Sequence, residues 1–270
     1  FQARELPLQQ PAPRQRLPLP EPQQIVALGP ELHLVLEVHP VDARPPASYA
    51  GQGADHLYAP NLWPEGSVAL RHHLEAYYRV VRGLAGSLME LFATALELPP
   101  AYFAAAIDRD FSILRVIHYP PQPHPPAPGQ LRAGAHTDYG TVTILRGDDT
   151  PGGLQVKRRD GGWIDVHPRP GSFVVNLGDL MMRWTNDRWV STLHRVANPP
   201  LQHALVPRLS MVFFHNPNFD AEISCLESCR GTGARHAPIR MLDHFMAKHM
   251  KARYMRADAP VGAAATKFKA

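Results

Sequence analysis

The chain has 270 residues, 44% of them apolar and 19% charged, which is enough to bury the core of one large domain and too apolar for a disordered chain. Its net charge of +4 comes from scattered lysines and arginines with no basic–aromatic array, so the sequence points away from nucleic acid. Two cysteines, Cys225 and Cys229, cannot build a disulfide framework, no apolar run reaches the length of a membrane span, and no apolar signal core opens the chain. A reduced, cytoplasmic protein without a membrane partner is therefore expected, as a monomer or weak homodimer.

The first residue is Phe1 rather than methionine, which reads as a fragment or a processed chain. Prolines at 7, 11, 13, 18, 20, 22 and 30 predict an extended arm over residues 1–30. Leu32, Leu34, Leu36 and Val38 alternate and predict one edge strand, followed by a loop over 43–64. Residues 67–98 carry apolar positions at Leu70, Leu74, Tyr77, Val81, Leu84, Leu88, Leu91 and Leu98, the spacing of a helix, with Ser67 as N-cap and Pro99-Pro100 as the stop. A second short helix is expected over 101–107.

From Phe111 the period becomes that of strands. Strands are predicted at 111–119, 133–138, 141–146, 154–158, 163–166, 172–177, 192–197 and 208–214, with Asp160-Gly161-Gly162 as a hairpin turn. A helix is predicted over 239–254, with Ile239, Leu242, Phe245, Met246, His249 and Met250 on one face. The division this implies is a proline-rich front over 1–66, a helical segment over 67–107, a β domain over 108–218, and a C-terminal extension over 219–270. The fold class is mainly β with a helical annex, built as a sandwich or jelly roll.

His136 and Asp138 stand two residues apart on a predicted strand and so face one side. His194, on the strand predicted at 192–197, can reach the same point. Two imidazoles and one carboxylate on one face of an octahedron suit Fe(II) and leave positions open for a co-substrate and oxygen. His-x-Asp occurs once among fifteen histidines, and the His73-Leu74-Glu75 run lies on a helix, where its ends diverge. His118, His72, His73, His244 and His249 are read as packing or solvated histidines. Arg208 and Ser210 also share a face, among apolar neighbours, and offer a forked guanidinium and a hydroxyl to a carboxylate. Tyr119, at the end of its strand, offers a phenol. Cys225 and Cys229 are either two ordinary thiols or half of a zinc site completed by His215 or His236.

These residues carry a family resemblance. Ala133 to Gly140, Gly152-Gly153-Leu154-Gln155-Val156, Val175 to Asp179, Trp184-Thr185-Asn186, Ser191 to Val196 and Arg208-Leu209-Ser210 resemble the isopenicillin N synthase-like family of Fe(II)/2-oxoglutarate-dependent oxygenases. The resemblance covers about residues 61–254. It implies a double-stranded β-helix, or jelly roll, with His136, Asp138 and His194 as iron ligands and catalytic centre. It also implies Arg208, Ser210 and Tyr119 at the 2-oxoglutarate carboxylate, with O2 as oxidant and ascorbate in support. Asn176 to Asp179 resembles a family turn in the pocket wall and is given no direct chemistry. Ile117 stands where plant members often have asparagine. The presence of Asp138 argues against halogenation. The implied reaction oxidises an unactivated C–H bond of a small molecule, by hydroxylation or desaturation, with release of succinate and CO2.

Residues 8–60 match the family poorly, which predicts an altered or truncated front and a less well closed site. The same motifs occur in oxidases and cyclases that use no 2-oxoglutarate. Outside the family, the alternatives are a metal hydrolase, for which no placed general base is evident, and a catalytically impaired metal-binding protein.

Overall fold

The computed structural model describes residues 34–40, 61–148, 150 and 153–257. The arm expected over 1–30, most of the 43–64 loop and the far C-terminus lie outside these residues. Two antiparallel sheets face each other. The larger holds β1 (Leu34–Val38), β2 (Ile113–Tyr119), β9 (Arg208–His215), β4 (Val142–Gly147) and β7 (Val174–Leu177), in that order. The smaller holds β3 (Ala133–His136), β8 (His194–Val196), β5 (Leu154–Lys157) and β6 (Trp163–Asp165). From β2 to β9 the chain passes back and forth between the sheets, the winding of a jelly roll, and β1 forms the predicted edge strand on β2. Gly161, with φ 93°, supplies the left-handed residue of the β5–β6 hairpin.

The alternation of β2, β9 and β4 gives the larger sheet two different faces. Leu114, Val142, Ile144 and Phe213 point outward, where they are covered by α1 (Val68–Ala95). Leu74, Tyr78, Val81 and Ala85 of α1 meet them, and Tyr78 donates from Oη to the Ser112 carbonyl at 2.9 Å. The buried line of α1 is Leu74, Tyr78, Val81, Ala85, Met89 and Ala93. Only part of the predicted stripe is therefore covered: Leu70, Leu84 and Leu91 are exposed. Small Ala85 and Ala93 let the helix approach the sheet along their own line, and the flanking leucines turn out to water. Ser67 does precede the helix, but its Oγ donates back to the Pro64 carbonyl and caps no helical N–H. A left-handed Glu97 (φ 61°) then turns the chain before Pro99-Pro100.

The second short helix appears as a 3₁₀ turn, Pro100–Phe103, running into α2 (Ala104–Ile107). α3 (Asp179–Trp184) and a two-stranded ladder of β10 (Glu222–Ile223) with β11 (Ile239–Arg240) were not expected. α4 (Met241–Ala257) starts two residues later than predicted, because Ile239 and Arg240 are taken by β11. Its buried Met241, Leu242 and Phe245 join Phe103, Phe111, Trp184 and Phe219 in a second core, between the end of α1, α3 and α4. Phe245 meets Tyr139 edge-on at 5.7 Å, which brings α4 against the loop after β3. No helix among the described residues is long and apolar enough to cross a membrane.

Candidate active site

β3 ends at His136 and β8 begins at His194, and these two residues are direct cross-strand partners. Their rings lie 4.3 Å apart between centroids. His136 Nδ1 is 2.7 Å from the Gly134 carbonyl, and His194 Nδ1 is 2.9 Å from the Thr192 carbonyl. A carbonyl oxygen only accepts, so each neutral ring carries its proton on Nδ1 and turns an Nε2 lone pair toward the interior. Asp138 completes the group: one nitrogen from each histidine and one carboxylate oxygen lie within 4.8 Å of one another.

The strand predicted over 133–138 stops at His136, so Asp138 lies outside the ladder rather than on it. Its position is fixed by other bonds. Thr143 Oγ1 and Asn176 Nδ2 both donate to Oδ2, each at 2.7 Å. That leaves Oδ1, 3.6 Å from His194 Nε2, which is too long for a hydrogen bond and suited to two ligands sharing one ion. Asp138 is 4% exposed, and a carboxylate so buried needs a cation beside it. His136 is exposed as a residue, but its ring nitrogens are partly withdrawn from water. That desolvation, with His194 beside it, holds its pKa below the ordinary imidazole value and keeps it neutral as a ligand must be. The donors and the aligned free lone pairs fit a divalent transition metal.

The predicted clamp sits within the larger sheet. Arg208 opens β9 opposite Tyr119, the last residue of β2, and Ser210 faces Ile117. The Arg208 guanidinium lies over the Tyr119 ring at 5.1 Å. Burial pushes the Tyr119 phenol above its usual pKa, and the charge of Arg208 works against that rise. Arg208 is 5% exposed, and its buried Nη1 has no hydrogen-bond partner among the described residues. A buried cation with an unused N–H calls for an anion. Arg208, Ser210, Val212 and Phe214 share one face of β9, and Thr143 pairs with Phe214 on β4. Since Thr143 also holds Asp138, the arginine and the metal donors face one interior.

The cysteines take the ordinary-thiol reading: both are free, and the only group of metal-capable side chains among the described residues is His136, Asp138 and His194. His236 bonds Asp187 at 2.7 Å, and His215 is buried against Thr141. His249 stacks on Phe245, and His73 bonds the Ala69 carbonyl. Thr143 and Asn176 were missed as supports of Asp138. The alternation of β4 and β7 already aims both inward, but only the closed sandwich shows what they meet. A groove outside the barrel, lined by Phe92, Val156, Arg158, Ile164, Trp189 and Leu193, includes neither donors nor clamp and is not the reaction site.

Comparison with known proteins agrees with this geometry. A family model described as the 2OG-Fe(II) oxygenase superfamily matches residues 111–217. The 2-oxoglutarate-Fe(II) type oxidoreductase hxnY of Emericella nidulans is 35% identical over 238 residues, which are 82% of this chain and 67% of that protein. Homoarginine-6-hydroxylase 2-ODD-233 of Oryza sativa is 33% identical over 226 residues, covering 81% of this chain and 66% of that one. The chain spans little more than half the length of other curated relatives. The crystal structure of a full-length Neurospora crassa protein in complex with alpha-KG superposes with a TM-score of 0.71 at 31% identity, over 82% of this chain and 67% of that one.

Proposed function

The chain belongs to the 2OG-Fe(II) oxygenase superfamily, the 2-oxoglutarate-dependent dioxygenases, and from that premise we propose how its own residues divide the work. His136, Asp138 and His194 hold Fe(II). Arg208, Ser210 and Tyr119 hold the far carboxylate of 2-oxoglutarate. The substrate is a small molecule with an unactivated C–H bond, oxidised by hydroxylation or desaturation as succinate and CO2 are released. Iron bound there supplies the redox chemistry that couples oxidative decarboxylation of the keto acid to substrate oxidation by O2.

The protein's part is to place and to exclude. Gly134 and Thr192 fix both imidazoles as Nδ1–H tautomers, so that each presents Nε2. Thr143 and Asn176 occupy one oxygen of Asp138 and present the other. Arg208 fixes the co-substrate from the opposite end, in a low-dielectric setting where a charge-assisted pair is strongest. The supporting observation is the buried, unpartnered Nη1 of Arg208 on the face of β9 that shares its side with Thr143, the residue that bonds Asp138.

The test is oxygen-dependent succinate release with Fe(II), 2-oxoglutarate and ascorbate across a panel of small substrates, amino acids among them because a relative's name is that of a homoarginine hydroxylase. Succinate stimulated by one substrate, with product formed in step, is the expected result. Product formed from that substrate without any need for 2-oxoglutarate would move the protein to the oxidases and cyclases of the family.

A further inference from the structure

Asp138 lies beyond the last ladder pair of β3, so something other than the sheet must hold its main chain. α3 supplies a bond to that main chain, and α4 reaches the neighbouring Thr137 side chain. The Asp179 N–H, at the start of α3, donates to the Asp138 carbonyl at 2.8 Å. The Asp179 carboxylate accepts from Lys248 Nζ of α4 at 2.7 Å. The same Nζ donates to Thr137 Oγ1 at 3.0 Å. Thr137 stands between His136 and Asp138, and its hydroxyl is taken up from α4 while its neighbours aim their donor atoms at one another. The ammonium also lies 5.4 Å from the centroid of the Tyr139 ring. Lys248 and Phe245, three residues apart, share a helix face, and Phe245 packs on Tyr139. An apolar anchor and a cation thus reach the same short loop.

We propose that Lys248, acting with Asp179, is a positioning residue for the metal site: a strap from the C-terminal helix across the back of the His136–Asp138 segment that sets the aim of the Asp138 carboxylate. It rests on the reading of His136, Asp138 and His194 as metal ligands. The physical reason is entropic. A carboxylate on an unpaired loop samples several positions, and a metal must then meet the ordering cost on binding. Lys248 meets part of that cost in the folded protein. Asp179 is suited to its share: burial works to raise its carboxyl pKa, but Lys248 and His244 beside it more than offset this and hold it well below the usual carboxylate range. Its charge also sits in the first turn of α3, where a helix favours an anion. The strap does not touch the metal, and Thr143 and Asn176 still support Asp138 when it is cut.

The test is anaerobic titration of the full chain with Co(II) as probe, read by its visible d–d absorption, alongside the thermal midpoint of each variant. Lys248→Met is expected to weaken the metal about tenfold, the scale on which partners behind a ligand act. Lys248→Arg, which keeps a cation for Asp179 and donors for Thr137, is expected to recover most of the loss. Thr137→Val removes one hydroxyl bond, keeps the side-chain shape and should weaken binding about threefold, so the proposal stays testable if Lys248→Met does not fold. A Co(II) affinity unchanged in Thr137→Val and in any folded Lys248→Met, with only the thermal midpoint lowered, would overturn the strap and leave a packing role. His136→Ala separates the premise from the proposal: if Co(II) still binds that variant as it binds the unmutated chain, the metal-site reading itself fails and the strap with it.

Discussion

The two ends of the site are built in opposite ways. The proposed carboxylate clamp lies inside a continuous ladder: Arg208 pairs with Tyr119, Ser210 with Ile117, and β9 is flanked by β2 and β4 along most of its length. The proposed metal end lies where ladders stop. β3 ends at His136, β8 starts at His194, and Asp138 stands on a loop held by single bonds from β4, β7 and α3. A residue inside a sheet owes its place to many backbone bonds, and loss of one neighbour moves it little. A residue on such a loop owes its place to two or three side chains, each of which matters. The lesson is that ligand identity and ligand placement come from different parts of the chain.

The largest expected effect breaks the metal end outright. His136→Ala or His194→Ala should lose Fe(II), because two remaining protein ligands hold the ion poorly. Metal analysis after anaerobic gel filtration should find one iron per chain in the unmutated protein and close to none in either variant. The clamp should fail differently. Arg208→Lys keeps the charge and loses the fork, and weakening a buried charge-assisted pair costs on the order of 2–4 kcal/mol in co-substrate binding. Iron content should stay at one per chain while the apparent KM for 2-oxoglutarate rises by more than tenfold; a parallel loss of iron would mean that the two ends are not separately held.

Gly140 sharpens the comparison through stability. A Cβ there would fall on the His215 carbonyl and the Asn216 side chain, and the Gly140 carbonyl accepts the Leu180 N–H at 3.0 Å. Gly140→Ala must push the loop after Asp138 off β9, at a cost of roughly 1–3 kcal/mol or more. Denaturant unfolding should show that loss, and the surviving folded fraction should bind metal poorly.

The smallest effect concerns pH. Burial lowers the pKa of His215 from 6.5 to about 4. The unfolded chain takes up this proton below pH 6.5 and the folded chain does not, so the contribution is complete above 6.5 and is lost as pH falls toward 4. Between pH 7.5 and 5.5 the loss should be about 1 kcal/mol. His215→Asn, whose amide does not titrate, should flatten that part of the profile; an unchanged slope would place the proton uptake elsewhere.

The placement of Arg208 and Ser210 was the most legible part of the candidate site, because period-2 alternation puts them on one face and their apolar neighbours announce burial. The donor types and their spacing were legible too. Strand alternation alone does not place Asp138: the strand ends two residues before it, and its support comes from Thr143, Asn176 and Asp179, which sequence distance hides. Lys248 is 111 residues from Thr137, and no local pattern marks it among the other lysines. α1 was legible as a helix, but its buried line follows Ala85 and Ala93, whose small size matters only once a sheet lies beneath them. α3 went unseen because its six residues are shorter than any window in which helical periodicity shows.

Donors and proposed clamp facing one interior should bind one co-substrate from both ends. The most direct measurement is the visible spectrum of the anaerobic Fe(II) protein during titration with 2-oxoglutarate. A weak charge-transfer band should grow and saturate in the unmutated chain. It should be absent in His194→Ala at any concentration of the keto acid. In Arg208→Lys it should reach the same final intensity, but only at more than ten times the 2-oxoglutarate. A band undiminished in His194→Ala, or one that saturates in Arg208→Lys at the unmutated concentration, would contradict a single site closed by these residues.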